Sequence, residues 1–371
     1  MKIWLTILFS ISISVSAFAQ WSASVGTNQG YEWNIFKNPD LFVQSADTMF
    51  REDMWQNSVY SEGFINLDGR FPTRNGRLKL SADVSNNYYY QQQDAQKLFF
   101  KFKGSYRVKY ARRKYFEVDP SFSRRLQDGV DQSDLVFSTR LSYQQFELPA
   151  HFDFYMGEKA WLRFDLRFRN RVYDAFQNQQ TVFQSYFFQS EYKKRWEGLR
   201  GWEQELIFEA YVEYRDQELI STGQSSSIVS ARQFLISNFN ATPSVGRISD
   251  HIKVSAPFEF VVFKDQPTGS LDYIGWSSAV EIESEFDKSA FSIEAEYGNR
   301  LFRNFAVDSG DLLQYTNWNL SGTASFNITK NLEFQIKGRY LIRDSSRDRL
   351  STTAYRGFQT SYIQTGFKVK L

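Results

Sequence analysis

Only two histidines, His151 and His251, and no cysteine occur in the 371 residues. His151 lies two residues from Asp153. On an extended strand that spacing puts both side chains on one face, as a base and its orienting carboxylate require. Neither a Gly-x-Ser-x-Gly elbow nor a paired-histidine metal spacing accompanies them, and no Gly-rich phosphate loop is present. His151 therefore reads as a solvated histidine at a rim. The chain reads as non-enzymatic, with no catalytic residue, metal site or cofactor, and the lack of cysteine excludes thiolate sites and disulfides.

The remaining candidates are charges set in rows. Arg163, Arg167, Arg169 and Arg171, with Lys101, Lys103, Arg107, Lys109, Arg339 and Arg343, make a basic set. Glu203, Glu205, Glu209, Glu213, Glu281, Glu283, Glu285, Glu294 and Glu296 make an acidic one. Facing a water-filled space, such sets would form opposed walls, impose a transverse field and set ion preference. The competing reading is a set of ladders, in which Arg and Glu of adjacent strands pair and hold a wet or filled interior.

These charges must be positioned by strands. In Trp161–Val172 the even residues Leu162, Phe164, Leu166, Phe168 and Val172 are apolar, broken only by Asn170. The odd residues Arg163, Asp165, Arg167, Arg169 and Arg171 are charged, so the ribbon has one greasy and one ionic face. Similar ribbons recur at Arg77–Tyr88, Lys97–Tyr110, Ile252–Phe263, Leu271–Phe286, Ser289–Arg303, Gln314–Ile328, Leu332–Arg343 and Arg356–Leu371. In Trp202–Arg215 the apolar row is bracketed by Trp202 and Tyr214; roughly 30 Å of tilted strand between them matches an apolar band with an aromatic girdle at each side. No helical period competes. The pattern predicts an all-β fold, a transmembrane antiparallel up-and-down β-barrel of about sixteen strands. Fourteen result if the opening strand or the region around Pro149 is not a separate stave.

Composition agrees. Aromatic residues are 18% of the chain while the overall hydropathy is negative, as expected when one face of each strand meets lipid and the other water. A net charge of +2 offers nothing for nucleic acid. Residues 1–19 have a basic start, a short apolar run and a small-x-small end at Ala17-Phe18-Ala19, which predicts a cleaved export signal, with the barrel in 20–371. No later segment reaches the ~18–20 apolar residues of a membrane helix.

The short turns PTRNG, ARRK, GEKA, EGLRG, FDKS and TKN alternate with longer linkers near 37–57, 119–133, 216–226, 304–313 and 345–355. Outer-membrane barrels keep short turns on the periplasmic side and long loops outside. Asn240–Asp250 is long for its side. Pro149 predicts a bulge or a broken strand. Residues 38–57 carry Leu41, Phe42, Met49, Phe50 and Met54, predicting a short amphipathic helix that sits on top of the barrel rather than in it.

The opening Gly30-Tyr31-Glu32-Trp33-Asn34-Ile35-Phe36 resembles the first strand of some porin-like families. The last strand resembles the export signal of bacterial outer-membrane barrels, although it ends in Leu371 rather than an aromatic residue. The chain as a whole resembles a porin-like outer-membrane barrel of the Bacteroidota kind. That resemblance implies an outer-membrane location, contact with outer-membrane lipid, and passive diffusion of small hydrophilic solutes through a charged lumen. The alternative is a non-conducting barrel that serves a surface-export or envelope-assembly complex, with other envelope proteins or further copies of itself as partners.

Overall fold

The computed structural model describes residues 20–371 apart from 45–46, 128–129, 132–138, 141, 176–177, 199–201, 223–226, 248–250, 267, 308 and 348–355. Residues 1–19, expected as an export signal, and part of the EGLRG turn therefore lie outside the described residues. The first half of the chain holds β1 (Gln20–Trp33), β2 (Leu41–Gln44), β3 (Asp47–Phe50), β4 (Ser58–Thr73), β5 (Gly76–Tyr89), β6 (Lys97–Ala111), β7 (Lys114–Val118), β8 (Ser121–Gln127), β9 (Val130–Asp131), β10 (Thr139–Arg140), β11 (Tyr143–Tyr155) and β12 (Ala160–Tyr173). The second holds β13 (Gln179–Glu197), β14 (Trp202–Ser221), β15 (Ser227–Arg247), β16 (Ile252–Ser255), β17 (Phe258–Gln266), β18 (Tyr273–Glu285), β19 (Ser289–Ala306), β20 (Leu312–Asn327), β21 (Leu332–Ser345) and β22 (Phe358–Lys370).

Eighteen of these form one antiparallel sheet, and β1 closes it by pairing with both β4 and β22. Two staves are each made of two collinear strands, β7 with β8 and β16 with β17, so sixteen staves complete the barrel. At the seam the inward glycines of β1 let neighbouring rings lie across the strand: a Cβ on Gly30 would sit 2.6 Å from the Tyr60 ring.

Prolines explain both divided staves. Pro120 separates β7 from β8 and Pro257 separates β16 from β17, yet the register against β6, β11, β15 and β18 is the same on either side of each gap. Each proline costs the ladder one donor and keeps its acceptor: Gly104 N–H donates to the Pro120 carbonyl at 2.9 Å and Ala279 N–H to that of Pro257 at 2.9 Å. Pro149 was expected to bulge or break its own strand. Instead β11 runs through it without interruption, Pro149 facing Arg167, and its carbonyl accepts from Asp119 N–H at 3.0 Å. The expected loop 119–133 is likewise corrected, because Ser121–Gln127 continues the fifth stave. The turn expected to be long at 240–250 is shorter, since β15 runs on to Arg247.

The barrel sorts its residues by face. Large apolar side chains on one row are exposed all round the outside, among them Ile65, Phe102, Phe122, Leu148, Leu166 (50% exposed), Phe188, Val212, Phe260, Ile293, Leu320 and Phe367. Trp276, Tyr297 and Trp318 stack in sequence across β18–β20, at 5.4 and 4.5 Å between centroids. Trp202 and Tyr214 lie on this outer row of β14. The alternate row faces the concave side, where side chains two strands apart come within bonding distance. No helix of the described residues is long and apolar enough to cross a membrane.

Residues 34–44 and 47–57 lie between β1 and β4 in the chain, at the rim those strands share with β22. Asn34 donates to the carbonyls of Asn38 (2.8 Å) and Gln359 (2.6 Å), and Asn38 donates to that of Met54 (2.8 Å). The amphipathic helix expected here is one turn, Arg51–Met54, preceded by the β2–β3 hairpin.

Leu166→Arg should block assembly of the closed barrel, because an arginine facing lipid at mid-bilayer costs roughly 2–4 kcal/mol. Arg167→Ser, one residue along and on the other face, should assemble normally. Refolding yield into detergent, read as the unheated fast-migrating gel band, checks both.

Candidate functional site

The inner wall is built from the odd residues of β5–β8 and β11–β14, continued round the rest of the ring by strict register. It gathers nearly every residue expected to carry chemistry. The basic set, however, does not form a bare wall. Asp153, 1% exposed, receives Arg163 Nε at 2.7 Å and Arg107 Nη2 at 2.9 Å, the latter reaching across the intervening stave. Arg107 also lies 3.8 Å from Glu117, and Lys103 lies 3.2 Å from Asp119. Arg169 pairs with Glu147 at 2.7 Å and Arg171 donates to Gln145 at 2.6 Å. Ladders prevail over a free basic field in this sector.

The expected pairing of His151 with Asp153 is not formed, and His151 is no rim residue. Its side chain is 11% exposed on the inner wall, where Nδ1 meets Asp165 and Nε2 lies 3.4 Å from Asp119. It is held between two carboxylates of neighbouring strands. The acids that do this neutralising are Glu117 and Asp119 at the end of β7, Glu147 and Asp153 on either side of Pro149 in β11, and Asp165 in β12; their partners are set by strand neighbours that alternation alone does not give.

Four other members of the basic set, Arg167, Lys101, Arg339 and Arg343, are held differently. Arg167 stacks on Phe187 at 4.8 Å, and Phe187 in turn packs on Tyr211 at 4.7 Å. Among the described residues, neither Arg167 nor Lys101 forms an ion pair. Arg343 donates to Asn317 of β20 at 3.0 Å and Arg339 to Asn319 at 2.7 Å.

The acidic set divides in two. Glu205 is matched by Lys193 (2.9 Å), Arg195 (2.8 Å) and Lys253 (3.5 Å), and Glu213 by Arg215 (3.1 Å). Glu209 is held by the amides of Gln189 (3.1 Å) and Asn240 (3.0 Å), while Glu203 faces the wall near the short-turn rim. The β14 glutamates are thus not the open acidic wall expected of them. That description fits β18 and β19, where Glu281 and Glu294 stand directly opposite one another and Glu283, Glu285 and Glu296 flank them. Ser321 donates to Glu294 at 3.2 Å and Asn319 to Glu296 at 3.3 Å, and no ion pair forms at these five among the described residues.

Toward the long-loop end the wall turns apolar. Tyr273, Phe302, Val307, Leu313 and Tyr315 form a buried cluster with Val261, Phe263 and Phe305 packed on it. The register of β19 on β20 shifts between Leu301 and Ala306, beside this cluster. Composition and alternation gave no sign of it, because its residues occupy positions that elsewhere in the same strands are polar.

No family model and no curated protein matches the sequence. Solved structures of similar course include outer-membrane expressed OmpT of Vibrio cholerae, 9% identical, TM-score 0.42, covering 95% of this chain and 97% of that one. A bacterial polysaccharide outer membrane secretin gives 8%, 0.46, 95% and 98%. OccAB4 of Acinetobacter baumannii gives 9%, 0.47, 95% and 98%. The likeness is one of barrel shape.

Asp153→Asn should leave two guanidinium groups without their carboxylate. Removing one partner of a fully buried pair costs ~3–5 kcal/mol, but here the two arginine side chains are 23% and 27% exposed, so about 1–3 kcal/mol is expected. The temperature at which the closed form opens on a gel should fall, and an unchanged temperature would contradict the pairing.

Proposed function

We propose that the chain is an outer-membrane channel for passive diffusion of small hydrophilic solutes, exported by the signal in residues 1–19. The observation that carries this reading is a sixteen-stave closed wall whose concave face is lined by charged and amide side chains. A barrel of that size is wide enough to leave an aqueous path, where eight strands would be filled by their own side chains. Lipid of the outer membrane covers the convex face.

Selectivity is assigned to the wall charges left without an opposite partner. Glu281, Glu283, Glu294 and Glu296 form one sector, and Lys101, Arg167 and Arg339 lie in others, so solutes pass through a transverse field. Arg163, Arg169, Arg171, Lys103, Arg107, Glu205, Glu209 and Glu213 act chiefly in holding the wall, and Glu203 adds to the wall charge near the short-turn rim. A second reading, a non-conducting subunit of a surface-export or envelope-assembly complex, is favoured by the apolar cluster around Phe302 on the inner wall.

Planar-bilayer recording separates the two. The channel reading expects steps of constant size, and Glu281→Lys with Glu294→Lys should move the reversal potential in a KCl gradient toward anion preference. Silent insertion, with envelope proteins co-purifying, would instead support the subunit.

A further inference from the structure

We infer that the outer face of β7, β11 and β12, at the short-turn rim, is a binding site for one anionic phospholipid. Three consecutive cations, Arg112, Arg113 and Lys114, cap this rim, and none of them forms an ion pair among the described residues. At the neighbouring turn, by contrast, Lys159 is matched by Glu197 at 2.7 Å. A cavity of about 420 Å³ runs from the three cations down onto Phe154, Leu162 and Phe164 of the apolar belt.

The register makes this a continuous path. Lys114, Phe154 and Leu162 lie side by side in one outward row, and Phe116, Phe152 and Phe164 in the next. The Lys114 ammonium stands 5.8 Å from the Phe154 ring, the Phe154 and Phe164 rings (6.0 Å) line the cavity, and the Phe116–Phe152 pair (4.9 Å) lies in the next outward row beside it. A head group that is anionic matches three cations and no acid; two acyl chains match an aromatic comb on a lipid-facing surface. A free phosphate would satisfy only the upper part.

Arg113 has φ 59°, a left-handed conformation that Lys37 and His251 also adopt in this chain and that Asn fills readily. This inference rests on the lipid-facing barrel alone and is indifferent to whether the lumen conducts.

The test is native mass spectrometry of the refolded chain in micelles doped with phosphatidylglycerol or with phosphatidylcholine. The wild type should retain one phosphatidylglycerol under activation that strips phosphatidylcholine. A cation at a membrane surface is worth on the order of fivefold in affinity for anionic lipid, so Arg112→Gln/Arg113→Asn/Lys114→Gln should weaken retention at least tenfold. Asn keeps the left-handed turn accessible. Lys288→Gln/Lys330→Gln, on two other short turns, should bind as wild type. If the triple variant does not close, Lys114→Gln alone should weaken retention about fivefold. Equal retention of the two lipids, unchanged retention in the variants of 112–114, equal loss in the Lys288/Lys330 control, or full displacement by free glycerol phosphate would each overturn the assignment.

Discussion

Hydrocarbon offers a peptide group no hydrogen-bond partner, and every feature of this chain follows from that. A sheet in lipid must close so that no edge is left, which β1 achieves by bonding β4 on one side and β22 on the other. The prolines show how tightly the requirement is met. Pro120, Pro149, Pro243 and Pro257 all sit within the ladder, and the carbonyl of each still accepts a neighbour's N–H at 2.9 or 3.0 Å. The register never slips at them. A proline that bulged its strand would have forfeited further bonds that lipid cannot replace.

Closure also decides where charge can go. Alternation gives each strand two faces, and bending the sheet into a ring crowds one and splays the other. On the crowded face Arg107 reaches past a whole stave to Asp153, and three cations from two strands, β13 and β16, converge on Glu205. On the splayed face side chains separate and stay apolar. The ion pairs are therefore a consequence of curvature as much as of sequence. Among the described residues they leave Glu281, Glu283, Glu285, Glu294 and Glu296 of β18 and β19 without an ion pair, gathered in one sector of the wall.

The period-two pattern made the barrel legible. In the Trp161–Val172 ribbon every expected inward and outward residue lies where alternation puts it, and the stave number follows from repeating that ribbon. Partnership was less legible, because pairing depends on which strands are neighbours and how far curvature brings alternate strands together. Asp153 is near His151 in sequence but bonds Arg163 and Arg107 in space. The β14 glutamates read as one acidic wall, yet Glu205 is neutralised from β13 and β16. Proline misled for a local reason: it removes one donor, and sequence does not say whether the strand or only the bond is lost. The lumen cluster around Phe302 was invisible because an aromatic residue on a strand does not declare its face once both faces carry aromatics.

The central claim is that one face of each strand meets lipid and the other meets water. The chain contains no cysteine, so single cysteines can be placed one at a time from Leu162 to Val172 without background. In the refolded, lipid-embedded protein, a small membrane-impermeant thiol reagent should label the odd positions and leave the even ones untouched, while a quencher confined to the acyl region should report the reverse. Uniform labelling, or protection without a two-residue period, would contradict the account.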